Sequence, residues 1–230
     1  MFKRTLAAYR STKLAWAVAG ATYLLALGVF AYFAAVVVNF PWEVTVSTTV
    51  QSWQSAWLDA TMKGVSELGV LRVAAPLVAI TAVALFIAGW RAESIFMLLT
   101  PSAGRLVTFA VKEIVDRPRP SESVVQVLQD ATSASFPSGH VVNSVVYLGA
   151  LAVVLTLRLR PGRRLRTAQA LIVALVLATG LSRIYLGMHW LGDVVGGFAF
   201  GAAVVAAALW TWRVWPKSVR GDQHPCRDPS

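Results

Sequence analysis

Long apolar runs separated by short basic segments constrain the fold of this chain more than any other feature. The 230 residues are 57% hydrophobic and only 14% charged, whereas a soluble domain carries about 25% charged residues. Several runs reach the roughly 20 residues that a helix needs to cross a bilayer. We therefore predict a polytopic, all-α membrane protein with a single domain over residues 1–230.

Six runs have the length and composition of transmembrane helices. The first is too long for the apolar core of a signal peptide, which has about 7–15 residues. The less apolar segment 39–70 is rich in tryptophan, which predicts an amphipathic helix along the outer interface; it is either a belt of anchors or the border of a substrate entrance. The fold class is thus a six-transmembrane-helix bundle with an interfacial amphipathic segment between the first and second spans. The predicted spans are residues 14–38, 71–90, 92–111, 140–157, 168–183 and 190–212.

The basic residues cluster at the ends of the apolar runs. Fourteen of the 21 Lys and Arg residues lie in segments that six crossings place on the side of the N-terminus. Cytoplasmic loops carry such an excess of positive charge, so we predict a plasma (inner) membrane protein with both termini in the cytoplasm. The net charge of +10 therefore indicates lipid, and nucleic acid is not an expected partner. Cys226 is the only cysteine, which excludes a disulfide within the chain.

The stretch 182–193 places an Arg, a His and an Asp in an apolar surround. His189 and Asp193 are four residues apart, so on a helix they share one face. A carboxylate there can hold one imidazole nitrogen and leave the other free to attack. Arg183 does not share that face on a continuous helix, so its convergence with His189 requires a break near Gly187. A polar turn at the membrane interface remains the alternative for this stretch.

The loop after the third span, residues 112–137, is the second concentration of polar groups. It contains Lys112 and Arg119, which are side chains that bind phosphate, and Ser138 is a predicted N-cap of the fourth span. The free N–H groups of a helix N-terminus bind anions. Two crossings separate this loop from the turn after the fifth span, so both lie on the outer face. The topology thus brings together Lys112, Arg119, Ser138, Gly139, His140, Arg183, His189 and Asp193.

Each of these residues also has a simpler interpretation. A Lys or Arg at the end of a span is usually a topology anchor, and Asp193 could pair with Arg183. Their joint occurrence favours a shared anionic ligand, because so many ionisable groups beside hydrocarbon are costly. We assign Arg117 a supporting role only. Arg105 faces the same side as Lys112, and we expect it to pair with a neighbouring helix rather than to support a polar cavity.

The spacing of these residues resembles the three-part signature of the type 2 phosphatidic acid phosphatase superfamily, in its membrane branch. The likeness covers residues 112–193. The three parts are Lys112 followed after six residues by Arg119-Pro120, then Pro137-Ser138-Gly139-His140, then Ser182-Arg183 followed by His189 and Asp193.

The resemblance implies a mechanism. His189 is the nucleophile that forms a phosphohistidine, Asp193 orients it, and His140 is the general acid for the leaving lipid oxygen. The phosphate is held by the remaining signature residues: Lys112, Arg119, Ser138, Gly139 and Arg183. No metal or other cofactor is expected, and the sequence contains no cluster of carboxylates with metal-ligand spacing.

The predicted function is hydrolysis of a lipid phosphate at the outer membrane face. A polyprenyl diphosphate is the favoured substrate, followed by phosphatidic acid or phosphatidylglycerol phosphate. A phosphotransferase that passes the group to a second lipid would use the same residues. A transporter or channel is a remote alternative, because its charges would be spread through the depth of the spans.

Overall fold

A computed structural model of the chain describes residues 40–129 and 132–214 without a gap, together with parts of 20–36. Within these ranges every regular element is a helix, so the all-α prediction is confirmed. The described residues between 20 and 36 are helical as well. The named helices are α1 (Pro41–Gln51), α2 (Ala56–Glu67), α3 (Leu71–Ile87), α4 (Arg91–Val115), α5 (Gly139–Arg158), α6 (Arg163–Tyr185) and α7 (Leu191–Val214).

Four of the helices, α4 to α7, are each long and apolar enough to cross a membrane. They correspond to the predicted third to sixth spans. The number of crossings rises to six if two bent pairs each form one span: residues 27–36 with α1, bent by 87°, and α2 with α3, bent by 52°. The chain is therefore a multi-pass protein with four to six candidate spans. Most of the predicted first span, 14–38, falls outside the described residues.

The segment 39–70 folds differently from the single amphipathic helix expected there. It forms α1 and α2, which are separated by a turn at residues 52–55 that contains Trp53. Both helices pack against α6, and α1 also contacts α7. Trp42, Trp53 and Trp57 are exposed, with 49%, 56% and 70% of their surface accessible. Such exposure suits membrane anchors, and the interfacial position of the segment stays a prediction.

One polar residue predicted in a loop lies in a helix instead. The helix α4 continues to Val115 and ends at Asp116, which has a left-handed backbone with φ of 42°; Lys112 is therefore on the last turn of α4. At the other end, Glu93 lies in the first turn of α4, where it is buried and pairs with Arg158 at the end of α5. Lys112 donates from this turn to the Ala134 carbonyl and Glu93 pairs with Arg158, so contacts with other segments stabilise both polar ends of α4.

The helix α5 lies at the centre of the bundle and packs against α4, α6 and α7. Small residues on α7 allow the close approach. A Cβ built on Gly201 would lie 2.7 Å from the Cβ of Val145, and one on Gly197 would lie 2.8 Å from the Cβ of Val141. The glycine face of α7 is therefore in contact with α5, which is the usual place of small residues in membrane helix bundles.

We expect Gly201→Ala to destabilise the protein, because the added methyl group would overpack this contact. Overpacking a helix interface costs about 1–3 kcal/mol, which would appear as a lower melting temperature in detergent. Gly64→Ala is the control: Gly64 lies in α2, and a Cβ added there would meet no atom within 4 Å. Ala stabilises an open helical site by about 0.5–1 kcal/mol relative to Gly. Equal melting temperatures for the two variants would contradict the packing argument.

Candidate active site

The turn between α6 and α7 brings Arg183 and His189 together. The helix α6 ends at Tyr185, and Gly187 follows with a positive φ of 68°. The N–H groups of Met188 and His189 both donate to the carbonyl of Arg183, over 3.1 and 3.3 Å. A side chain at Gly187 would collide with the carbonyl oxygen of Gln126, 1.9 Å from its Cβ. The predicted break near Gly187 is therefore confirmed.

Asp193 holds one side of the His189 ring. The two residues do not share a helix, since His189 precedes α7 and Asp193 lies in its first turn. The Oδ2 atom of Asp193 is 3.5 Å from Nδ1 of His189 and accepts the Trp190 N–H over 2.8 Å. The hydroxyl of Ser135 donates to the same Oδ2 and lies 3.3 Å from Nδ1. Ser135 is thus a part of the site to which the sequence patterns assigned no role.

The other ring nitrogen of His189 faces Arg119. One guanidinium nitrogen of Arg119 lies 3.3 Å from Nε2 and also donates to the Met188 carbonyl over 2.7 Å, while its Nε donates to the Ser133 carbonyl over 2.7 Å. The pKa of His189 is lowered to about 3, chiefly by burial and also by the charge of Arg119, while Asp193 opposes the shift. The ring is therefore neutral at physiological pH, and with a proton on Nδ1 it keeps a lone pair on Nε2.

The 138–140 turn lies against the same site. The N–H of Ser138 donates to the backbone carbonyl of Asp193 over 3.0 Å. The Cε atom of Lys112 lies 4.0 Å from the position that a Cβ on Gly139 would take. His140 is within electrostatic range of four other predicted residues. These are Arg183, His189, Arg119 and Lys112. The structure therefore brings all eight predicted site residues together.

Ser138 and Arg183 each have a buried polar side-chain atom that lacks a hydrogen-bond partner in the described part of the chain. Ser138 occupies the predicted N-cap position of α5, but its hydroxyl makes no capping hydrogen bond. Its Oγ, like Nε of Arg183, has no hydrogen-bond partner among the described residues. Arg183 donates instead to the Ser66 hydroxyl and to the Met188 sulfur, so the alternative in which it pairs with Asp193 is wrong.

Arg117 is the actual ion-pair partner of Asp193. It is fully buried and donates to Oδ1 of Asp193 over 2.8 Å and to Oε2 of Glu43 over 2.6 Å. Glu43, fully buried at the start of α1, also accepts the N–H groups of Gly192 over 2.8 Å and Phe40 over 3.0 Å. Burial on its own lowers the pKa of Arg117, but Asp193 and Glu43 together raise it above the usual value. The guanidinium therefore stays charged.

The sequence patterns did not predict the roles of Arg117 and Glu43. They assigned no role to Glu43 and only a supporting role to Arg117. One local signal was present: Pro41 can begin a helix, which would place Glu43 in its first turn, where acidic side chains bind free N–H groups. The pairing itself joins residues 74 positions apart, which no local pattern indicates.

No metal site is evident in the described part of the chain, where no three His, Cys, Asp or Glu side chains are grouped so that they could hold an ion. The absence of a metal from the reaction stays a prediction.

The comparison with known families agrees with the geometry of the site. The sequence model that describes the PAP2 superfamily matches residues 92–218 of this chain. These residues include the whole of the three-part signature. The chain belongs to the PAP2 superfamily. The resemblance drawn from the spacing of the signature residues is thus confirmed.

Relatives of this PAP2 protein are membrane lipid phosphatases. Phosphatidylglycerophosphatase B of Bacillus subtilis (strain 168) is 34% identical over 147 residues, 63% of this chain and 70% of the relative. Decaprenylphosphoryl-5-phosphoribose phosphatase of Mycobacterium tuberculosis is 37% identical over 113 residues, 47% of this chain and 57% of the relative; this chain therefore spans little more than half of that protein.

A solved structure has the same fold as this PAP2 protein. It is the crystal structure of the first transmembrane PAP2-type phosphatidylglycerolphosphate phosphatase from Bacillus subtilis. The two chains superpose with a TM-score of 0.73 at 25% sequence identity, covering 84% of this chain and 97% of the other.

We expect Arg117→Met to lower both the stability and the turnover of this PAP2 protein. The substitution leaves the Glu43 and Asp193 carboxylates buried without a counter-charge, and breaking a buried pair in this way costs about 3–5 kcal/mol. The double variant Glu43→Gln with Arg117→Met removes one of these two buried negative charges. Its melting temperature in detergent should therefore lie between those of Arg117→Met and the wild-type protein. The double variant should not recover lipid phosphate turnover, because Asp193 remains unpaired.

The control for this experiment is Glu93→Gln, which breaks the ion pair between the buried Glu93 and Arg158 at the far end of α5. It should lower the melting temperature while the folded protein keeps its turnover number. Wild-type stability and turnover in Arg117→Met would show that the Arg117 contacts are dispensable.

Proposed function

We propose that this chain is an integral membrane phosphatase that hydrolyses a phosphomonoester or diphosphate on a lipid through a phosphohistidine on His189. One observation carries the proposal: the buried, neutral imidazole of His189 is held on its Nδ1 side by Asp193 and presents Nε2 beside Arg119. A lone pair facing a phosphate-binding cation is the arrangement that attack on phosphorus requires. The single domain over residues 1–230 is part of the proposal.

Charge balance supports a phosphate as the ligand. Arg117 offsets one of the two negative charges of Glu43 and Asp193, so these three groups together keep one net negative charge. Lys112, Arg119 and Arg183 add three positive charges beside them, and none of the three forms an ion pair with a carboxylate within the described residues. The six groups therefore carry a net charge of about +2, which complements a phosphomonoester dianion.

The polar atoms without partners suit the same ligand. We assign the phosphate oxygens to Arg119, Arg183 and Lys112, and to the Ser138 hydroxyl and the Gly139 N–H at the start of α5. The buried Ser138 Oγ and Arg183 Nε lack hydrogen-bond partners within the described residues, and an anion would satisfy them. Fixed donors of this kind stabilise the charge that spreads over the equatorial oxygens in the transition state.

The reaction proceeds in two displacements. Nε2 of His189 attacks phosphorus while the bond to the leaving oxygen breaks, and His140 donates a proton to that oxygen. Asp193 holds the Nδ1 proton and stabilises the positive charge on the ring. A water molecule then attacks the phosphohistidine, with His140 accepting its proton, and inorganic phosphate and free His189 are formed. No metal participates in the proposed steps.

We place the site at the extracytoplasmic face of the plasma membrane. The basic loop between α5 and α6 lies at the opposite end of α5 from His140, about 30 Å away for a helix of this length. That separation supports a cytoplasmic loop and an outer site under the positive-inside rule.

The substrates expected from the sequence stay within the proposal: a polyprenyl diphosphate, and the phosphomonoesters phosphatidic acid and phosphatidylglycerol phosphate. Relatives act on phosphatidylglycerophosphate and on a decaprenyl-linked phosphate by name. The basic assay is release of inorganic phosphate from one pure lipid by the purified protein in detergent. Release that occurs only when a second, acceptor lipid is added would replace hydrolysis with phosphotransfer.

We expect His189→Ala to abolish phosphate release, by about a thousandfold or more, while the protein remains folded in detergent. Brief exposure to substrate labelled with ³²P should label the wild-type protein in an acid-labile form and leave the variant unlabelled. His224→Ala is the matched control, since His224 lies in the polar tail that the sequence places on the other side of the membrane. Retained turnover in His189→Ala would refute the assignment of the nucleophile.

His140→Ala should slow the cleavage of a lipid substrate by about 10²–10⁴-fold, the usual contribution of a general acid. The loss should be much smaller for p-nitrophenyl phosphate, because nitrophenolate leaves without a proton. The comparison uses turnover numbers for both substrates with both proteins. A loss of the same size for the two substrates would contradict the role of His140 as the acid.

A further inference from the structure

Arg105 is an exposed cation in the middle of a transmembrane helix. It lies in α4 seven residues before Lys112, on the same face of the helix. Along the helix axis it is about 10 Å further from the site than Lys112 is. Its side chain is exposed, and no hydrogen bond or ion pair to it is found within the described ranges. The expected pairing with a neighbouring helix is therefore not observed. An unpaired charge at this depth is costly, and such residues usually serve a function.

Arg105 lines a groove of about 490 Å³ between α3, α4 and α5. Most of the lining is apolar and includes Leu71, Leu98 and Leu106, which are 47%, 44% and 70% exposed. The groove is therefore open on the side that faces lipid. Its other polar side chains include Asn143 and Tyr147 of α5. A groove with this lining suits the chains of a lipid and one anionic group at Arg105.

The groove lies next to the catalytic residues along α4 and α5, although none of them is among its lining residues. Asn143 and Tyr147 follow His140 by three and seven residues, so they continue the His140 face of α5. The Asn143 amide donates to the carbonyl of Gly69 over 3.0 Å, and a Cβ on Gly69 would lie 2.7 Å from the Cβ of His140. On α4, Arg105 is within electrostatic range of Lys112. The groove that contains Arg105 therefore lies beside the site, on the side of His140 and Lys112 that faces the bilayer.

We propose that Arg105 binds a second phosphate group of the substrate, the phosphodiester of a phospholipid that also carries a terminal phosphomonoester. This inference rests on the proposed function. In phosphatidylglycerol phosphate, a glycerol unit separates the two phosphorus atoms, and the diester is the one nearer the acyl chains. With the terminal phosphorus at His189, the diester lies towards the bilayer centre, which is the direction of Arg105 from Lys112.

The other candidate lipids do not reach Arg105 with a second anion. Phosphatidic acid has a single phosphate. In a polyprenyl diphosphate only an oxygen atom bridges the two phosphorus atoms, so both phosphates stay beside Lys112, Arg119 and Arg183. Arg105 therefore acts as a specificity residue: it favours the substrate with two separated phosphates through a charge-assisted contact in a low-dielectric groove.

The test compares three substrates with the wild-type protein and Arg105→Gln in the same detergent. We expect kcat/KM for phosphatidylglycerol phosphate to fall about tenfold, mainly through KM. Values for phosphatidic acid with the same acyl chains and for a polyprenyl diphosphate should stay within about twofold. Arg105→Lys should give an intermediate loss, because Lys keeps the charge without the bidentate fork.

Arg72→Gln is the matched control. Arg72 is an exposed cation of α3 that pairs with Glu67 and does not line the groove. Its removal lowers the positive charge of the protein by the same amount and should not change the ratio of kcat/KM between substrates. If Arg105→Gln does not purify as a monodisperse protein, Arg105→Met is measured in the same way.

A second measurement uses product inhibition. Phosphatidylglycerol carries the diester without the terminal phosphate, so it should inhibit phosphatidic acid hydrolysis by the wild-type protein more strongly than by Arg105→Gln. If Arg105→Gln lowers kcat/KM equally for phosphatidylglycerol phosphate and phosphatidic acid, or changes neither value, the proposed role of Arg105 is overturned. A wild-type protein that hydrolyses none of the three lipids would refute the proposed function instead.

Discussion

The buried ion pairs of Arg117 with Glu43 and Asp193 are the contact that holds the site together. They join the start of α1, the loop after α4 and the first turn of α7. A carboxylate without a counter-charge at such a position costs several kcal/mol, so each of the three segments can be buried only when the other two are in place. Assembly of this end of the bundle is therefore coupled to the placement of Asp193.

The position of Asp193 determines much of the remaining geometry. Its side chain accepts from Trp190 and Ser135 and faces Nδ1 of His189, and its backbone carbonyl accepts the Ser138 N–H. A single residue thus connects the imidazole to the start of α5. Because Arg117 already compensates part of the carboxylate charge, the other three cations of the site remain available to a substrate.

Periodicity and spacing predicted the parts of this architecture that depend on local sequence. The third to sixth spans, the break at Gly187 and the convergence of the two polar segments follow from hydropathy, backbone preference and charge bias. Helix ends were less predictable: α4 continues to Val115, so Lys112 lies on its last turn, where its amino group donates to the Ala134 carbonyl. The roles of Glu43 and Ser135 could not be predicted, since their partners lie 74 and 58 residues away in the chain.

Residue types and short spacings were sufficient to establish that the chain is helical and membrane-embedded, that it carries the PAP2 signature, and which eight residues meet at the site. The bilayer and the helical repeat translate such local properties directly into structure. The pairing of Asp193 with Arg117 rather than Arg183, and the position of Arg105 in a groove rather than beside a partner, became known only from the packed helices. Such choices depend on which helices come into contact, and contacts between distant segments leave no periodic trace in the sequence.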